Sequence, residues 1–124
     1  MGLFSSKKRD ALPWKDLTSV EQLAEVIQQS AEKPVLFFKH STRCVVSSMA
    51  LKNFEDEWST EIELCDLYFL DLLNHRATST EIAVVTGVEH QSPQVIVVQE
   101  KTAIYDASHA VIDALKIQSL LKKA

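Results

Sequence analysis

Cys44 lies between an apolar run and a stretch with helical spacing: Val35-Leu36-Phe37-Phe38-Lys39, then His40-Ser41-Thr42-Arg43, then Cys44-Val45-Val46-Ser47. A thiol at such a junction faces the unpaired N–H groups and the positive dipole end of the helix that follows. Both favour the thiolate, the nucleophile in disulfide exchange, and cationic neighbours act in the same direction. Lys39, His40 and Arg43 are the candidates for that neighbourhood. The second position of a Cys-x-x-Cys dithiol pattern is filled here by Ser47. Cys44 therefore has no resolving thiol in its own motif. It can take over one partner of a mixed disulfide, and an external thiol must then release it. Ser47, one turn on, is placed to donate a hydrogen bond to the thiolate. The competing reading is an inert core cysteine, because cysteine is among the most buried residue types. The position after the apolar run, among basic residues, favours the reactive one.

The elements that would hold this thiol can be read along the chain. Residues 1–12 form a flexible N-terminal arm, and 13–124 a single domain. Pro13 to Leu17 is a short first strand or a lead-in loop. Thr18-Ser19-Val20-Glu21 fits a capping box with Thr18 as cap, and Val20, Leu23, Ala24 and Ile27 follow at helical spacing. Pro34 bars continuation of that helix. Val35 to Phe38 is a strand covered on both faces. A second helix runs from Cys44 to Trp58, with Val46, Ala50, Phe54 and Trp58 facing the sheet. Leu64 to Leu73 is the next strand. Thr78 to Glu81 is a second capping box, opening a helix that Gly87 closes. Val95 to Val98 pairs with Thr102 to Tyr105 as a hairpin, without an Asn-Gly turn. The last helix starts near Ser108 or His109 and buries Val111, Ala114, Leu115 and Leu121.

The order (β)αβαβαββα predicts an α/β fold with a mixed central sheet of four to five strands and helices on both faces. That is the layout of a thioredoxin-like domain, with the thiol at the carboxyl end of a central strand, where open sheets place their sites. Such domains set a cis proline against the thiol, and the residue before it offers its backbone to the substrate chain. Ser92-Pro93, just before the fourth strand, occupies that place. Cys65, inside an apolar strand, reads as a core residue. It would resolve a Cys44 disulfide only with Cα atoms within about 7 Å.

The remaining candidates narrow the function further. His40, His75, His90 and His109 have no metal-ligand spacing. His40 is either a tuner of Cys44 or a partly exposed loop residue; His90 falls near the rim of the site, and His75 and His109 read as surface or capping residues. Trp14 and Trp58 read as core aromatics. Two glycines cannot build a phosphate loop, and no positioned His and Asn or Asp supports a cysteine protease. The chain has 124 residues, 46% hydrophobic and 24% charged, as in a soluble globular domain. A net charge of −4 gives no case for nucleic acid. No run is apolar and long enough to span a membrane. Two cysteines and no legible secretory leader make a reducing, cytoplasmic setting the expectation. Gly2 and Ser6 satisfy a myristoylation pattern, against the simpler reading of a loose tail. Nothing demands a partner subunit, so a monomer is expected.

Phe37 to Ser47, with His90-Gln91-Ser92-Pro93-Gln94 downstream, resembles the monothiol bacilliredoxins of the bacillithiol system, the YtxJ-like proteins. The resemblance runs from about Trp14 to Leu121 and includes Leu70-Asp71-Leu72. It implies a bacterial cytoplasmic enzyme that removes bacillithiol from S-thiolated client proteins. No tightly bound cofactor is implied, and bacillithiol is the co-substrate. Cys44 would accept bacillithiol, Ser47 would hold the place of the missing cysteine, and Pro93 would be the cis proline shaping the groove. Bacillithiol bears carboxylates, so Lys39 and Arg43 would attract it by charge. Many members have proline directly after the cysteine; here Val45 stands there. The alternatives are a glutaredoxin-like protein using another small thiol and a non-catalytic thioredoxin-like interaction domain. An iron–sulfur carrier fits less well, because Val45-Val46 lacks the glycine found in such motifs.

Overall fold

The computed structural model describes residues 12–58 and 64–123. Among the described residues the chain order is β1 (Lys15–Asp16), α1 (Val20–Gln29), β2 (Val35–His40), α2 (Val45–Glu57), β3 (Asp66–Asp71), α3 (Arg76–Thr86), β4 (Gln94–Gln99), β5 (Thr102–Ser108) and α4 (Ala114–Lys123). The strands form one sheet in the order β1-β3-β2-β4-β5. β1, β3 and β2 are parallel, while β4 runs antiparallel to β2 and β5 antiparallel to β4. This is the expected mixed α/β sheet with helices on both faces.

All six residues of β2 are buried because helices cover both sides. Strand alternation sends Val35 and Phe37 toward Leu23, Val26 and Ile82 of α1 and α3. Leu36 and Phe38 face Phe54, Ala114, Ile117 and Leu121 of α2 and α4. Trp14 closes this second core edge-on against Phe38 and Phe69, and its Nε1 donates to Glu55 at 2.8 Å. Leu12, assigned by sequence to the arm, is buried in the same core. The rest of the arm, with Gly2 and Ser6, lies outside the described residues.

Several boundaries differ from expectation, each for a local reason. The cap of α1 is Ser19, whose Oγ accepts from Gln22 N–H at 3.0 Å, while Gln22 Oε1 accepts from Thr18 N–H at 2.8 Å. Thr18/Glu21 and Ser19/Gln22 share the same spacing; the frame that buries Leu23 and Val26 wins, leaving Val20 and Ala24 outside. In α2 the inward stripe is Ser47, Phe54 and then Trp58, and Val46 is 52% exposed. Each four-residue step overshoots a helical turn by about 40°, so a strict spacing of four drifts off the buried face. β3 is shorter than the Leu64–Leu73 run. α3 opens at Arg76, with Thr78 and Ser79 buried inside it rather than capping it, and Gly87 closes it in the left-handed region at φ 74°. A 3-10 turn over His109–Val111 precedes α4, whose first amides are capped by Asp113 Oδ1. That cap shifts the helical phase, so Ala114, Ile117 and Leu121 are buried while Val111 and Leu115 are exposed.

The β4–β5 hairpin turns through Glu100 and Lys101 at φ 52° and 68°. Both amides are held, by Ser30 O at 2.8 Å and Ser30 Oγ at 2.9 Å. Two non-glycine residues in this region are strained. Replacing Glu100-Lys101 with Asn-Gly keeps both amides and should add about 1 kcal/mol of stability. The check is a higher denaturation midpoint at unchanged slope.

Candidate functional site

Cys44 is the N-cap residue of α2, with extended backbone at φ −109° and ψ 120°. A tight turn brings the chain there from β2, closed by Cys44 N–H donating to Ser41 O at 3.1 Å. Cys44 is half-buried, and its side chain makes no capping hydrogen bond to the first-turn amides of α2. Its sulfur has no hydrogen-bond partner among the described residues.

Ser47 is fully buried and turned toward the loop. Its Oγ accepts from Ser41 N–H at 3.1 Å and lies 2.7 Å from His40 Nδ1. With the imidazole as acceptor, the single hydroxyl proton is spent on His40 rather than on Cys44. Ser47 thus ties the β2–α2 loop to the helix behind the thiol. His40 is the buried last residue of β2, not a loop residue, and its ring packs on Phe69 with centroids 5.5 Å apart. Ser47→Ala removes the oxygen that Ser41 and His40 share and should cost about 1–3 kcal/mol. It should leave the thiol in place, so alkylation of Cys44 measured beside the unfolding midpoint separates the two effects.

Lys39 points to the opposite face of the sheet from His40. It is fully buried, and its ammonium donates to Ser79 O at 3.1 Å and to His90 Nδ1 at 3.2 Å. Burial lowers its pKa to about 8. Burial and the Lys39 charge also hold His90 below the usual imidazole range. Arg43 is exposed in the loop before the thiol. The charge expected at the surface from Lys39 is therefore internal, and Arg43 carries the exposed positive charge of this motif.

The Ser92–Pro93 peptide bond is cis. Pro93 is buried, and its carbonyl accepts from His109 N–H at 3.0 Å; Ser92 Oγ is buried without a partner among the described residues. The register pairs Lys39 with Gln94, which sets this loop beside the end of β2 that leads to Cys44. Gln94 clamps the loop: its Nε2 donates to Glu89 O at 2.9 Å, and its Oε1 accepts from Gln91 N–H at 3.3 Å. Gln94 was noted only as part of the His90–Gln94 motif and not as a clamp, and Ser79 gave no signal as a partner of Lys39, 40 residues away. A cavity of about 270 Å³ opens between Val46, Met49 and Ala50 of α2 and His109, Ala110 and Ile112.

Cys65 is 2% exposed, and burial, with the nearby Asp66 charge adding, pushes its thiol up to about 12. It precedes β3 at the end paired with Val35, whereas Cys44 follows the end paired with Asp71. Five strand residues separate those ends, roughly 16 Å, well beyond the reach of a disulfide. Both cysteines are free. Among the described residues no cluster of His, Cys, Asp or Glu fits a metal, and no helix is long and apolar enough to cross a membrane.

A thiol opening a helix and a cis proline at the same end of a β-sheet of this topology define a thioredoxin-fold thiol–disulfide oxidoreductase. A solved structure described as having a thioredoxin fold is 27% identical, with a TM-score of 0.73, covering 86% of this chain and 91% of that one. Fasciola hepatica thioredoxin is 12% identical with a TM-score of 0.66, covering 88% and 97%. The short form of spinach chloroplast thioredoxin f gives 12% and 0.66, covering 89% and 91%. The last two share the fold alone. The family described as monothiol bacilliredoxin BrxC matches residues 15–117, and the chain belongs to it.

Proposed function

We propose that the protein removes bacillithiol from S-thiolated client proteins through a mixed disulfide on Cys44. The observation that carries this reading is the isolation of the Cys44 thiol, with Ser47 turned away and Cys65 far across the sheet. The Cys44 thiolate attacks the bacillithiol sulfur of the client disulfide. The client S–S bond breaks, its sulfur leaves as thiolate and takes a proton, and Cys44 keeps bacillithiol in a new S–S bond. A second low-molecular-weight thiol then attacks that bond and restores Cys44. Each step is an exchange, with no net change in the number of disulfides.

In this scheme Ser47 and His40 hold the loop that presents the sulfur. Ser92 offers backbone to the substrate chain, Pro93 shapes the groove, and Arg43 attracts the anionic small thiol. The chemistry belongs in a reducing, cytoplasmic compartment with a bacillithiol pool.

The test is an intact mass after the reduced protein meets bacillithiol disulfide, beside a Cys65→Ser variant. One stable bacillithiol adduct in both proteins supports the monothiol route. Collapse to an internal disulfide that requires Cys65 overturns it. No adduct with bacillithiol, but a stable one with glutathione disulfide, transfers the reading to another small thiol.

A further inference from the structure

Lys39 carries a positive charge into the fold with no counter-ion among the described residues. Its only partners among the described residues are the Ser79 carbonyl and His90 Nδ1. An uncompensated buried charge is expensive unless something answers it. Protonated Lys39 can only donate, so His90 Nδ1 accepts, and the imidazole is fixed as its Nε2–H tautomer. His90 is exposed, and Nε2 has no partner among the described residues. The ring therefore relays a buried ammonium to a surface N–H donor. Its loop is clamped by Gln94 and leads two residues later into Ser92–Pro93, at the sheet end that carries Cys44.

We propose that His90 is a carboxylate-recognition residue of the thiol site, with Lys39 as its positioning residue. The Nε2–H edge binds a carboxylate carried by the small thiol in the mixed disulfide, and the Lys39 ammonium stands behind it. The inference rests on the mixed-disulfide reading and deepens it by naming the residue that reads the small thiol's carboxylate. Because burial and the Lys39 charge disfavour the protonated ring, the anion meets Lys39's charge through a fixed donor rather than an exposed imidazolium that solvent would screen.

The test uses one amidated peptide without acidic residues, disulfide-linked either to 3-mercaptopropionate or to 2-mercaptoethanol. The only carboxylate is then on the small thiol. The readout is the ratio of the two rate constants for adduct formation on Cys44. His90→Ala and Lys39→Met should each lower that ratio about tenfold, the weight of one charge-assisted hydrogen bond. The double variant should lose no more than either single one, because Lys39 acts through His90. An unchanged ratio in His90→Ala overturns the proposal, including the case in which both rates fall together. A ratio that falls in His90→Ala but not in Lys39→Met overturns the role of Lys39. Should neither peptide react with wild-type Cys44, the mixed-disulfide reading itself fails; should both react with the ratio unmoved by the variants, only this inference does.

Discussion

Cys44→Ser should lose mixed-disulfide formation by at least about a thousandfold, because disulfide exchange proceeds through a thiolate and has no route through an alcohol. Cys65 cannot substitute: it is buried, its thiol is pushed up to about 12, and it lies at the far end of the sheet. The complementary change is Ser47→Cys. It places a second thiol one turn along α2, where helix neighbours three apart have Cβ atoms about 5–6 Å from each other. The bacillithiol adduct on Cys44 should then become transient. The new thiolate attacks the Cys44 sulfur, bacillithiol leaves, and an internal disulfide two hydrogens lighter than the reduced chain remains. The same substitution gives up the oxygen that Ser41 and His40 share, so a loss of about 1–2 kcal/mol in stability should accompany it. Intact mass over time reads both variants. A persistent adduct in Ser47→Cys would mean that the inward orientation of this position, rather than the missing sulfur, makes the protein monothiol.

The sequence disclosed the parts of this site that depend on local order. A continuous apolar run marked β2, and Cys44, one short turn after it, opens the next helix for that reason. Ser92-Pro93 was placed by its position before an apolar strand. What it did not disclose depends on which face a side chain takes. Lys39 reads as a surface charge in isolation, yet two strand residues back Phe37 lies on the same buried face, and the alternation carries the lysine inside. Ser47 reads as a donor to its neighbour in the motif; only the turn of Ser41–Cys44 brings a competing imidazole within 2.7 Å. Val46, Val111 and Leu115 were placed inside by spacing alone and are exposed: a strict spacing of four drifts off the buried face of α2, Val111 lies in the 3-10 turn before α4, and the Asp113 cap sets the phase of α4. The hydrogen-bonded cluster of Lys39, Ser79 and His90 joins residues up to 51 apart, a separation at which no spacing rule applies.

Lys39→Met should make the protein more stable while weakening the selectivity assigned above to His90. The folded state holds the Lys39 pKa at about 8 against 10.5 for the free side chain. Each unit of such a difference is worth about 1.4 kcal/mol against the charged form. The hydrogen bonds to Ser79 and His90 are lost with the lysine, and Ser79 Oγ, 3.3 Å from His90 Nδ1, can take over one of them. A net gain of about 1–2 kcal/mol at pH 7 is expected from a flexible apolar side chain of similar length. The sign with pH follows from linkage. Below pH 8 both states of the wild type carry the proton, and the penalty is full. Between pH 8 and 10.5 the folded lysine releases its proton while the unfolded one keeps it, so wild-type stability rises and the advantage of methionine shrinks. Cys65 acts in the opposite direction: the unfolded thiol ionises near 9 and the folded one near 12, so stability falls across that range. Both proteins share that loss, and their difference isolates Lys39. Urea unfolding at pH 7 and pH 10 measures it. A variant less stable than wild type at pH 7 would mean that the two hydrogen bonds outweigh the buried charge, and that Lys39 is retained for the fold rather than for the site.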